Sequence, residues 1–233
     1  MRPLWLGLGM VLCSAPGFAQ TCPPTAGARS DQARLQFLSA ELLAESHRAH
    51  NWTLGWGATY GLLTLAQVAV VPLIIPPDQV EWWVAAATTA VGVAFTLVDP
   101  LEVREAGPGY AMRAADPGDV CALIAEGEAL LERSAAHERA GTRWYIHAAN
   151  VAFNLGVGLI LGLGYGHWVA GAVNFALGVA LGEATLFTAP TRLISAWGEY
   201  QRGELGPTAA PVSWKVFPMV HPSGAGVGFA LAF

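Results

Sequence analysis

The sequence predicts an all-α membrane protein: four transmembrane helices as two hairpins, each preceded by an amphipathic helix, and a short C-terminal tail resembling a β-hairpin. Three observations predict it. From Trp144 to Gly182 the chain runs 39 residues without an Asp, Glu, Lys or Arg, broken midway by Leu163-Gly164-Tyr165-Gly166-His167. One crossing needs roughly 20 apolar residues, so this stretch holds two and a turn. A second uncharged run fills residues 49–77, between Arg48 and Asp78. Finally, the 233 residues are 54% hydrophobic and 12% charged, against about 25% charged in soluble domains. That is too little charge to cover a surface facing water.

Residues 1–19 have the form of a secretory signal peptide. Arg2 is followed by an apolar run from Pro3 to Val11 and by Gly17-Phe18-Ala19 before Gln20, which predicts cleavage after Ala19. Removal leaves two cysteines, Cys22 and Cys121, compatible with one disulfide in an exported chain. Residues 20–51 are extramembrane: a loop, then a helix capped by Ser30 or Asp31. Leu35, Leu38 and Leu42 share one face of that helix, with Arg34, Glu41, Glu45 and Arg48 largely elsewhere. Nothing breaks it before the first crossing, so the pattern predicts one rod from about Asp31 into the low 70s, ended by Pro72, Pro76 and Pro77.

Residues 52–98 form the first transmembrane hairpin. Trp52 and Trp56 sit at the level of an aromatic interface belt, and Trp82 to Val98 is just long enough for the return crossing. Residues 99–143 are again extramembrane, read as a loop from Leu101 to Asp116 around Gly107-Pro108-Gly109 and then a second amphipathic helix. Asp116-Pro117-Gly118-Asp119 starts that helix, and Val120, Leu123, Ile124, Leu130 and Leu131 form its stripe. It leads into the second hairpin, residues 144–188. Trp52 and Trp144 are 92 residues apart, and Pro100 and Pro190 are 90 apart. This layout predicts an internal repeat.

The extramembrane tail, residues 189–233, is polar at first. Val212 to Val220 and Ala225 to Phe233 then flank His221-Pro222-Ser223-Gly224, a hairpin pattern. Val227, Phe229, Leu231 and Phe233 alternate to the end, which resembles the closing strand of bacterial outer-membrane β-barrels. The resemblance covers nine residues, and the helical spans depart from it.

Small residues mark packing strips. Gly158, Gly162 and Gly166 are spaced by four, as are Gly178 and Gly182, Gly57 and Gly61, and Ala86, Ala90 and Ala94. Polar residues share those strips: His147, Asn150 and Asn154 run into Gly158, and Asn174 precedes Gly178. Glu183 is the only acid within a proposed crossing, and a hairpin turning at Tyr165 sets it at the depth of His147. These five residues form either an ion pair with interhelical hydrogen bonds or a polar path. No spacing suggests a catalytic residue, a cofactor site or a metal ligand set. The net charge of −5, without a basic patch, argues against a nucleic-acid partner.

The sequence therefore reads as a non-enzymatic structural or assembly component of the cell envelope. Its partners are the lipid bilayer and either a second protein or its own copies. The alternative is a small channel or transporter with an intrabundle path through His147, Asn154 and Glu183. The signal peptide directs the flanking segments to the non-cytoplasmic side of a bacterial inner membrane, in preference to an outer membrane. The basic residues of the mature chain all lie on those flanks, opposite to the usual positive-inside bias.

Overall fold

The computed structural model describes Cys22, residues 30–98 and 101–206, and the backbone of residues 213–221 and 224–232. The expected signal peptide and Phe233 lie outside the described residues. Among the described residues, four helical segments are long and apolar enough to cross a membrane, as expected, within Asp31–Leu73, Gln79–Ala115, Trp144–Gly164 and Trp168–Gln201. Their outward faces carry Leu54, Leu62, Leu65, Phe95, Leu155 and Leu177, all exposed.

Helix α1, Asp31–Val70, is continuous over 40 residues, about 60 Å at 1.5 Å per residue. The Ser30 side chain caps it by accepting from the Ala33 amide at 3.3 Å. A 3-10 turn, Val71–Leu73, ends it with Pro72 at its start. Helix α2, Gln79–Val98, packs back along α1. Tyr60 of α1 lies over Gly92 of α2, where an added Cβ would come within 2.5 Å of the ring.

Residues expected as a loop form helix α3, Glu102–Ala115, with Pro108 inside it. Proline removes one backbone hydrogen bond, but packing outweighs that loss. Val103 and Tyr110 are fully buried, and Gly107 lets α3 touch α1 so closely that a Cβ there would lie 2.6 Å from the Leu42 carbonyl oxygen. Helix α4, Val120–Gly141, is capped by Asp119, which accepts from the Ala122 amide at 3.0 Å. It does not run on into the next candidate crossing as α1 does. It stops at Gly141, and Thr142-Arg143 separates it from α5, Trp144–Leu159. A π-helical turn, Ile160–Gly164, and Gly166 at φ 78° lead to α6, Trp168–Phe187.

The polar start of the expected tail also folds, as α7, Arg192–Gln201, which buries Leu193, Ala196 and Tyr200. Strands β1, Ser213–His221, and β2, Gly224–Ala232, pair antiparallel with Ser213 opposite Ala232.

The core sits at the flank end, among the first half of α1 and helices α3, α4 and α7. Leu38, Leu42, Tyr110, Ile124, Leu131 and Leu193 lie at its centre. Because α3 and α7 cover the sides of α1, far more than the leucine stripe is buried. Arg34, Glu41 and Glu45, expected largely off the apolar face, are 5%, 0% and 0% exposed. Cys22 and Cys121 are joined across a separation of 99 residues. Closing so long a loop restricts the unfolded chain strongly, so Cys22→Ser is expected to destabilise the flank helices by roughly 2–4 kcal/mol. Thermal melts with and without reductant check this, and a wild-type melting curve indifferent to reductant would overturn it.

Candidate functional site

Four of the five polar residues singled out in the second hairpin form one network, with Glu183 at its head. His147 Nδ1 lies 2.6 Å from Glu183 Oε2, and Asn150 Nδ2 donates to Glu183 Oε1 at 3.0 Å. Asn154 extends the chain of contacts, donating to the backbone oxygen and Oδ1 of Asn150, each at 2.9 Å. Helical spacing explains the assembly: 147, 150 and 154 fall on one face of α5. Glu183 reaches that face from the antiparallel α6.

Glycines make the room. A Cβ on Gly182 would come within 2.6 Å of Asn150 Cγ, and one on Gly178 within 2.7 Å of Asn154 Cγ. Lower in the hairpin the backbones themselves touch, since a Cβ on Gly158 would lie 2.9 Å from the Gly171 carbonyl oxygen. The asparagines thus fill notches in α6. Asn174 does not join them. Its Nδ2 donates to Ala170 O of its own helix at 3.0 Å. The expected strip is also incomplete, for among the described residues no atom neighbours the place where a Cβ would stand on Gly61 or Gly166.

The network belongs to the α5–α6 seam and not to the space between the hairpins. Hairpin meets hairpin along α6 by separate contacts that the sequence did not indicate as pairs. The Trp56 Nε1 donates to Thr188 Oγ1 at 2.8 Å, Trp52 Nε1 to Thr185 O at 3.3 Å, and the Tyr60 and Thr185 hydroxyls share a bond of 2.8 Å. Within the first hairpin, Thr89 Oγ1 bonds Gln67 Oε1 and Thr64 Oγ1, both at 2.8 Å.

A second polar cluster, absent from any sequence pattern, occupies the flank-end core. Arg192 at the start of α7 grips the buried Glu41 with two donors, Nη2 to Oε1 at 2.8 Å and Nε to Oε2 at 3.2 Å, and also pairs with Glu199. The next two amides of α7, Leu193 and Ile194, donate to Glu138 Oε2 at 2.9 and 3.3 Å. A carboxyl group suits a helix N-terminus, whose first amides lack partners. Glu138 also lies within hydrogen-bond reach of Glu45, which is paired to Arg48. One oxygen of each carboxyl, Glu45 Oε1 and Glu138 Oε1, is buried without another partner. Two carboxyl groups within reach of each other favour sharing one proton over carrying two charges. Burial first, and then the Glu45 charge, push the Glu138 carboxyl up to about 9. On the far side of the core, Arg34 bridges Asp31, Glu128 and the Tyr200 hydroxyl. Burial and the Glu128 carboxylate raise the Tyr200 phenol to about 12.

No family model, curated protein or solved structure matches this chain.

Proposed function

We propose that the chain is a non-enzymatic assembly component of the cell envelope, in which the hairpins anchor a rigid flank-end platform that presents the C-terminal strands to a protein partner. The observation that carries this reading is how the polar residues of the spans are used. His147, Asn150, Asn154 and Glu183 bond one another inside glycine notches of a single hairpin, which favours adhesion over conduction. The platform is stiffened by the disulfide and by buried ion pairs. Disulfides persist in oxidising compartments, which favours flanks on the non-cytoplasmic side and is in keeping with an export signal. A two-stranded ribbon is marginal by itself, and an open strand edge accepts an extended segment from a partner.

Duplication belongs to the same reading. Long helix, two crossings and short helix occur twice in order. Val103, Ala106 and Tyr110 of α3 stand 90 residues before Leu193, Ala196 and Tyr200 of α7, and these six all belong to the flank-end core or pack against it. Glu102 at the start of α3 pairs with Arg133 of α4, as Arg192 at the start of α7 pairs with Glu41 of α1. The buried Glu45 and Glu138, 93 residues apart, meet where the two long helices face each other.

Deleting residues 207–233 is expected to abolish co-purification of the envelope partner while the melting temperature of the remaining helices is retained. A truncated chain that keeps its partner sinks the assembly reading. Proteoliposomes test the transport alternative, since proton or ion flux removed by Glu183→Gln would put a path in its place.

A further inference from the structure

The end of the hairpins opposite the platform carries a second kind of chemistry. Between residues 51 and 98 the only Asp, Glu, Lys, Arg or His residues are Asp78 and Glu81, and around the second turn the only one is His167. These three come from turns 86 or more residues apart in sequence, yet their donor atoms converge so that all lie within 4.8 Å of one another. His167 Nδ1 already contacts Glu81 Oε1. No Arg or Lys stands anywhere between residues 49 and 103 or between 144 and 191, so within the two hairpins two carboxylates share this end with a single imidazole and no fixed cation.

Both turns are built to hold them. The Gln79 side chain donates to Ile74 O at 2.9 Å and Val71 O at 3.3 Å, closing the first turn just beside Asp78. In the second, the π-helical residues 160–164 widen the helix, and the His167 amide returns to Leu161 O at 2.9 Å. Gly162 makes space for the Trp168 ring, where a Cβ would be 2.5 Å away. A π turn of this kind costs regular hydrogen bonding and recurs at functional sites. Here it sets the histidine facing the acids of the other hairpin.

We propose that Asp78, Glu81 and His167 bind a divalent transition-metal ion, of the Zn²⁺, Co²⁺ or Mn²⁺ class, that clasps the two hairpins together at their turn end. One imidazole nitrogen and two carboxylate oxygens form a mixed set suited to such ions, unlike the all-oxygen shell preferred by Ca²⁺ or Mg²⁺. Donors around one metal at 2.0–2.2 Å stand about 3.4 Å apart in a tetrahedral shell, so the widest gap needs to close by little more than about an ångström, while the touching His167 and Glu81 atoms part to admit the ion. Asp78 is exposed and its two companions are half-buried, which leaves a position open to water or an anionic group. This site is independent of the docking reading above.

The test is calorimetric titration of ZnCl₂, and then CoCl₂, into the purified full-length protein in detergent, previously stripped with chelator. One equivalent of Zn²⁺ per chain is expected for the wild type. Asp78→Asn is expected to weaken binding at least 10-fold and His167→Ala to abolish it, and the Co²⁺ visible bands of the wild type should vanish with His167→Ala. Asp78 is exposed, so its variant tests the site without disturbing packing, and circular dichroism melts verify that both variants fold. Zn²⁺ uptake that is absent in the wild type, or equal in all three folded proteins, overturns the assignment.

Discussion

Arg192→Met is expected to destabilise the flank-end platform by about 3 kcal/mol, the low end of what removing one partner of a buried ion pair costs. The low end applies because Arg192 is 28% exposed at its side chain, whereas Glu41 is at 0%. The substitution leaves the Glu41 carboxylate in the core without its two donors. It also frees Glu199, which reaches Arg192 from about two turns further along α7. For a chain of this size each kcal/mol shifts the melting temperature by roughly 2–4 °C, so a drop on the order of 6–12 °C is the readout. Adding Glu41→Gln to Arg192→Met should recover most of the loss, because the stranded charge is then gone. If the single variant melts like the wild type, α7 does not dock as described. If the double variant melts no higher than the single one, the loss comes from packing and not from charge.

Stability should fall as pH rises from roughly 5 to 9, and Glu138→Gln should remove that slope. Folded, Glu138 keeps its proton up to about 9, whereas an ordinary carboxyl gives it up near 4.5. Between these values the folded state binds more protons than the unfolded one, so raising pH favours unfolding. The stabilisation is complete below the unfolded value and is lost as pH passes through the folded one. The groups facing Glu138 are Glu45 from α1, itself paired to Arg48, and the Leu193 and Ile194 amides of α7. Glutamine imitates the protonated acid: its oxygen can accept from the α7 amides and its amide can donate to Glu45. The variant should therefore melt near the wild type at pH 5 and clearly above it at pH 9. Wild-type melting temperatures that rise steadily over this interval, or a variant with the wild-type slope, would contradict the shared proton.

How much of this could be read beforehand varies with the kind of contact. The contact between His147 and Glu183 was legible as a matter of depth, because an antiparallel hairpin with a known turn equates positions on its two arms. The asparagines followed from helical spacing on α5. Asn174 looked equivalent yet rotates away to its own helix, since spacing constrains the face of a residue and not its partner. Helix α3 was hidden by Gly107-Pro108-Gly109, whose intrinsic preference is for turns. Its helicity comes from burying Val103 and Tyr110 against α1 and α4. Glu41 and Glu45 looked solvated because a periodic stripe describes one neighbour, and α1 has three at the flank end. The donors Asp78, Glu81 and His167 are unremarkable in sequence, since no local spacing relates two turns so far apart.

The sequence by itself determined the number of described helices long and apolar enough to cross a membrane, and the long first helix. Those properties depend on local composition, where a run of apolar residues has the same cost in water whatever lies beyond it. Only the tertiary structure decided which charges are buried, where the short helices dock and which polar groups meet at the two ends of the hairpins. Burying an ion or placing a donor is governed by atoms that arrive from distant parts of the chain, and hydropathy along one helix carries no record of them.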